Sequence, residues 1–282
     1  MRGVLERFAT LADGLDHPEG IAWGPDGRLY AGGEAGQVYR VSLDGSVEEV
    51  GSTGGFLYGL ALDGRGRLYC CDMARGEVVR LDPASGERET YSTGTPERPL
   101  RVPNFAAFDP EGNLYVTDSG EWGRDDGCVF KVAPGGATEV WTAAFGAFPN
   151  GCCLSLEADA LLLVESRARR VLRIPILADG SAGAAEVAAD LAGSQPDGVA
   201  LDRDGTMWVG CYRPDRIWRI PAGGRPEVWV EDPDGVVLNQ PANVAFAGPH
   251  LDRMVVSSLG GWALVATEAE VPGAPLHYPE VP

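Results

Sequence analysis

Phe148-Pro149-Asn150-Gly151-Cys152-Cys153-Leu154 is one of six related phrases in this chain. The others are HPEGIAW (17–23), FLYGLAL (56–62), RVPNFAAF (101–108), QPDGVAL (195–201) and QPANVAF (240–246). In each, one marked residue stands just ahead of a short apolar run: Glu19, Tyr58, Asn104, Asn150, Asp197 and Asn243. Their spacings are 39, 46, 46, 47 and 46 residues. A period of roughly 40–50 residues is that of a propeller or a solenoid, not of unrelated domains in tandem.

Each period has the same internal grammar. In the first, GIAW (20–23), RLYAGG (28–33), QVYRVSL (37–43) and SVEEVGS (46–52) are four strand-like runs separated by Gly, Pro and Asp. That is the hairpin signal three times over. The other periods follow suit, and the Ala-rich 182–189 run sits in a strand slot. The reading is all-β: one six-bladed β-propeller domain over 1–282, with four antiparallel strands per blade. The sixth period lacks a fourth strand, and VLERFATL (4–11) has strand character but no blade of its own. The segment 4–11 is therefore expected to complete the last blade and close the ring.

The innermost strand of a propeller blade lines the central channel, so residues at its start converge on one mouth. Glu19 and Asp197 bring carboxylates there, and Asn104 and Asn150 bring amide oxygens. Hard oxygen donors carrying two negative charges suit one hard divalent cation, Ca²⁺ foremost, with Zn²⁺, Mn²⁺ or Mg²⁺ as alternatives. Asn243 shares the slot as a further ligand or as a group that orients one. A competing explanation is that Pro-Asp-Gly and its kin are common turns, as at 25–27, 110–112 and 233–235. Register separates the two cases: those turns follow the inner strand or lie elsewhere, whereas Glu19, Asn150 and Asp197 precede it. Asp72, Asp118 and Glu165 end the second strands of their blades, where an acid ordinarily bonds turn backbone.

The loops entering the inner strands are aromatic and irregular, the form of an apolar cup around a few polar groups. Tyr58 and Phe148 are expected to wall that cup. Arg98, Arg101 and Trp122 are candidates for gripping a small-molecule substrate, the arginines equally well as solvated loop charges.

Lys+Arg 23 against Asp+Glu 41 gives a net charge of −18, which excludes nucleic acid and anionic membrane surfaces as partners. No run approaches the roughly 18 apolar residues of a membrane span. The N-terminus carries no basic-then-apolar signal pattern, so a soluble, cytoplasmic protein is expected. The six cysteines include two vicinal pairs and no CxxC, a pattern of buried thiols and not of disulfides or zinc.

With these residues in view, the chain resembles the SMP-30/gluconolactonase/luciferin-regenerating-enzyme family of six-bladed propellers. HPEGIAWGPDGRLYAGG, PNGCCLS, PDGVALDRDGTMWVG and PANVAFAGP with the VPGAPLH tail are similar to that family's motifs, in order, over essentially the whole chain. The resemblance implies a divalent metal, often calcium, on Glu19, Asn150 and Asp197, with Asn104 touching substrate or metal. It also implies hydrolysis of lactones and, in relatives, of organophosphates. The chain departs from the family's Arg-x-Asn-Asp pattern, reading Arg101-Val102-Pro103-Asn104-Phe105, a change that bears on sugar-lactone specificity.

The expected activity is metal-assisted hydrolysis of a cyclic ester, with Asp197 as general base or as nucleophile and Asn104 holding the substrate oxygen. The rivals are a phosphotriesterase on the same site, a non-catalytic propeller with a structural metal, and a strictosidine-synthase-like condensing enzyme.

Overall fold

The computed structural model describes residues 2–282. Six four-stranded antiparallel sheets account for nearly all of the secondary structure. Five are simple meanders, for example Pro149–Leu154, Ala160–Glu165, Arg170–Pro175 and Glu186–Asp190 in blade 4. Only the second half of the Ala-rich run, from Glu186, is in this last strand. Together the sheets form a six-bladed β-propeller, as the sixfold period predicts.

Blade 6 is closed by an N-terminal strand, with one correction. Residues Arg2–Leu5 are a short helix, and the closing strand is Ala9–Asp13, paired with Ala263–Glu268. The apolar residues of 4–8 serve docking instead of pairing. Phe8 is buried edge-on to Trp229 at 5.9 Å, and Val4 and Leu5 pack on the same cluster. Joining the two chain ends in one sheet leaves the ring without a seam.

Burial follows radial position. Second strands are sandwiched by neighbouring blades, so both faces are buried and the sequence runs apolar, as in Leu114–Asp118 and Ala160–Glu165. Fourth strands face solvent and carry the acids, as in Val47–Ser52.

Each inner strand begins at the top face and ends at the bottom. The C-terminal segment crosses the bottom: Ala274 N donates to Leu201 O (2.9 Å), Tyr278 OH to Trp23 O (2.6 Å), and Val281 is fully buried. Above it a cavity of about 220 Å³ is walled mainly by inner-strand apolar residues such as Leu62 and Phe246. That cavity lies below the marked residues, at the opposite end from the polar cluster. All six cysteines are free, and five are buried. Burial pushes the Cys153 and Cys128 thiols up to about 12, so they are unreactive packing groups. Among the described residues no helix is long and apolar enough to cross a membrane.

Candidate metal centre

The marked residues are turned inward by a device that sequence reading did not supply. In five blades the ladder between the first two strands slips at the marked residue. The slips lie at 57–60, 103–105, 149–152, 196–199 and 241–244. Each is a β-bulge, which leaves one residue unpaired and re-aims its side chain.

The glycine after the marker brings neighbouring strands into backbone contact. A Cβ on Gly20 would stand 2.0 Å from Tyr58 O, and one on Gly59 2.7 Å from Asn104 O. On Gly151 it would stand 2.6 Å from Asp197 O, and on Gly198 1.8 Å from Asn243 Oδ1. The remaining links are hydrogen bonds. Thr117 Oγ1 accepts from Phe105 N (2.9 Å) and donates to Asn150 O (2.9 Å), while Asn243 Nδ2 donates to Glu19 O (3.1 Å). Blade to blade, all six marked residues thus form one closed ring. The glycines at 20, 59, 151 and 198 are close-approach glycines; none has a left-handed φ. By contrast Gly27, Gly112 and Gly235 have φ of +74°, +89° and +61°, as true turns require.

Within the ring, Glu19, Asn104, Asn150, Asp197 and Asn243 are all buried. Asn150 Nδ2 donates to Ser166 Oγ (3.0 Å), and Ser166 Oγ donates to Pro196 O (2.6 Å). This chain fixes the amide so that Asn150 Oδ1 points away from it. Both Asn150 Oδ1 and Asp197 Oδ1 are buried without a hydrogen-bond partner. Orphaned buried oxygens cost about 1–3 kcal/mol each, more when charged.

Burial, aided by the charge of Asp197, holds the Glu19 carboxyl well above the usual range. Burial pushes Asp197 up to about 7, with the Asn150 amide drawing it partly back. Two crowded carboxyls, that of Asp197 with an unanswered oxygen, beside the unanswered Asn150 Oδ1 fit a divalent cation, which would satisfy all of them at once. Among the described residues there is no cluster of three or more His, Cys, Asp or Glu suited to a metal. Two carboxylates with the Asn150 carboxamide would make a hard-oxygen set suited to Ca²⁺.

Asn243 spends its amide nitrogen on Glu19 O, so the nitrogen braces the ring between blades 6 and 1. Tyr58 stands in the ring with its phenol raised by burial and then by the charges of Glu19 and Asp197. Tyr212 was missed in the sequence. Burial and the Asp197 and Glu19 charges push its phenol up to about 12, so it too keeps its proton beside the carboxyls. The only available signal was the length of its strand, Met207–Arg213, at seven residues the longest of the second strands.

The arginines are engaged by the 118–127 loop. Arg98 Nη2 donates to Asp126 O (2.6 Å); Arg101 pairs through Nη1 with Asp126 Oδ2 (2.8 Å). Trp122 and Phe148 meet edge-on at 4.8 Å above the ring. Of the acids ending the second strands, Asp72 and Asp118 bond their own turns at Arg75 N and Gly120 N, whereas Glu165 takes the Arg170 side chain; all three also reach back to the loops that enter the inner strands. Asp118 Oδ2 accepts from Arg101 N (2.6 Å), Asp72 Oδ1 from Phe56 N (3.0 Å) and Glu165 Oε1 from Ala147 N (2.9 Å).

The model of the SMP-30/gluconolactonase/LRE-like region matches residues 32–260. The chain belongs to that family. A strictosidine synthase-like N-terminal model matches residues 4–41. A pentonolactonase of Haloferax volcanii is 26% identical over 86% of this chain and 81% of its own length. A strictosidine synthase-like protein of Arabidopsis thaliana is 31% identical, but over 55% of this chain and only 43% of that protein. Among solved structures, a Xanthomonas campestris gluconolactonase superposes with a TM-score of 0.80 at 21% identity, covering 93% of this chain and 89% of its own. An Agrobacterium tumefaciens calcium-binding protein described as regucalcin gives 0.80 at 20% identity, covering 96% and 97%. At those identities the structures speak to the fold.

Proposed function

We propose that this family member is a divalent-metal-dependent lactonase. The observation that carries the proposal is the pair of orphaned buried oxygens, Asn150 Oδ1 and Asp197 Oδ1, beside the crowded carboxyls of Glu19 and Asp197. Family membership and the pentonolactonase relative support lactone hydrolysis as the chemistry such a site would serve. Glu19, Asn150, Asp197 and Asn104 would hold the ion, Ca²⁺ foremost. When bound, it would polarise the lactone carbonyl and stabilise the negative charge that develops on its oxygen.

The chain's own residues do the rest. Asn104 orients the substrate oxygen. Asp197 accepts a proton from the attacking water as the new C–O bond forms; the ring C–O bond then breaks and the leaving alkoxide takes up a proton. A carboxylate beside a cation is a weak base, which favours strained or activated esters over amides. Tyr58 and Tyr212, still protonated, can donate hydrogen bonds to substrate oxygens. If Asp197 attacks the carbonyl directly, single-turnover hydrolysis in ¹⁸O-water places the label in the enzyme's carboxylate instead of the product.

A second reading is a metal-free condensing enzyme, favoured by the strictosidine synthase-like matches. The two readings separate in one experiment. Elemental analysis of purified protein and of Asp197→Ala, each assayed on lactones with and without EDTA, should find about one divalent ion per wild-type chain. EDTA should abolish turnover, and the variant should lack both ion and activity. Metal-free wild type that is indifferent to EDTA rejects the lactonase reading.

A further inference from the structure

Above the ring stands a second set of side chains that metal binding leaves unused. His17, Phe56 and Phe148 each lie two residues ahead of a marked residue, and each meets another aromatic ring. His17 meets Trp262 at 6.4 Å, Phe56 meets Tyr58 at 5.0 Å, and Phe148 meets Trp122 at 4.8 Å. Trp122 and Trp262 occupy equivalent loops, between the second and third strands of blades 3 and 6. They are 48% and 53% exposed, among the most exposed large apolar side chains of the protein.

Three of these aromatic residues stand on left-handed backbone, a conformation shared in this protein by Ala158, Arg169, Gln240 and Leu251. His17, Phe148 and Trp262 have φ of 51°, 62° and 55°. Bulky residues rarely adopt the left-handed region, and such strain is often found at functional sites. Exposed aromatic area carried on strained backbone is unfavourable for the free protein and calls for a ligand surface to cover it.

Several charged groups of the surrounding loops are paired with one another. Glu34 Oε2 is 2.7 Å from His17 Nδ1, Asp125 pairs with Arg167, and Asp126 engages Arg98 and Arg101. A polyhydroxylated ring could stack on these faces, but each of its hydroxyls would need a free donor or acceptor. An alkyl or aryl substituent needs only the faces.

We infer that the substrate is a lactone bearing an apolar alkyl or aryl substituent, its ring over the metal centre and its substituent held against the aromatic collar formed by Trp122 and Phe148, the latter lying two residues ahead of Asn150. This specificity rests on the lactonase reading. At about 0.8 kcal/mol per buried methylene, each added carbon should raise kcat/KM about fourfold until the collar is filled.

The test uses the full chain with Ca²⁺. Rates are measured on γ-butyrolactone, γ-hexalactone, γ-nonalactone and glucono-δ-lactone. Binding of the corresponding γ-alkyl lactams, which are not hydrolysed, is followed by tryptophan fluorescence. Expected are kcat/KM and lactam affinity that climb with chain length, γ-nonalactone well ahead of glucono-δ-lactone. Trp122→Ala should flatten the climb and cost γ-nonalactone roughly tenfold. Leu177→Ala, exposed on the opposite face, should leave it intact. A flat series, or glucono-δ-lactone as the better substrate, overturns the collar assignment while the lactonase reading stands. Chain-length-dependent lactam binding without hydrolysis of any lactone does the reverse.

Discussion

The two ends of the inner strands use the same residue types to opposite purpose. At the bottom, Asp63, Asp109 and Asp202 are buried and saturated by their own turns. Asp202 Oδ1 accepts from Asp204 N (3.0 Å) and Thr206 N (2.9 Å), and its Oδ2 accepts from Trp208 Nε1 (3.0 Å). Asp63 takes two backbone amides, the Arg67 guanidinium and the Tyr69 hydroxyl. At the top, Asp197 is buried as deeply and its Oδ1 has no partner. A tight turn supplies backbone N–H groups to a carboxylate; a bulge pressed against the next strand supplies none. Burial with donors makes the bottom a set of staples; burial without donors leaves at the top the unanswered oxygens on which the proposed ion site rests.

The sharpest way to break this comparison is to neutralise one aspartate at each end. Asp197→Asn should lower lactone kcat/KM by about 10³-fold or more, roughly 4 kcal/mol, and abolish ion binding without loss of fold. Asp202→Asn should do the reverse. It should lose about 2–3 kcal/mol in urea unfolding through a carboxylate that no longer accepts three hydrogen bonds, and keep near-normal turnover per folded molecule. Equal effects on activity from both variants would erase the distinction.

The next effect is on stability as pH changes. The Asp197 carboxyl is raised from its unfolded value of about 3.8 to about 7, so between those values the folded state holds the extra proton. Stability linked to that proton is full below about pH 4 and is lost as pH rises through 7. EDTA-treated wild type should therefore lose about 3 kcal/mol more between pH 5 and pH 8 than Asp197→Asn does. Ca²⁺ added at pH 8 should restore that loss. Parallel pH profiles for the two proteins would show that the top carboxyls are not strained.

The smallest effect concerns Ser166, whose hydroxyl holds the Asn150 amide. Ser166→Ala should weaken Ca²⁺ affinity about tenfold in calorimetry, since the amide can then rotate, and Ser166→Thr should largely restore it. Unchanged affinity in the alanine variant would mean that packing alone orients Asn150.

Much of this was legible because propellers write their architecture locally. The six phrases, the hairpin glycines and the register of Glu19, Asn104, Asn150 and Asp197 depend on short-range chemistry that repeats. Three features were not legible. The 4–8 segment has strand-like composition, yet Phe8 finds Trp229 and the chain turns as a helix before pairing. Arg101 looks free in sequence, and only the folded 118–127 loop brings Asp126 to it. Tyr212 belongs to no repeated phrase and reaches the site because its strand overshoots the bulge at Pro196–Val199.

The amino-acid order by itself determined the number of blades, their strand pattern and which oxygen-bearing residues share one slot, since alternation and turn chemistry act over a few residues. Tertiary structure decided which of those oxygens go unanswered. That depends on what each side chain meets across a blade boundary, where contacts such as Gly198 on Asn243 and Ser166 on Pro196 O join positions 30 or more residues apart.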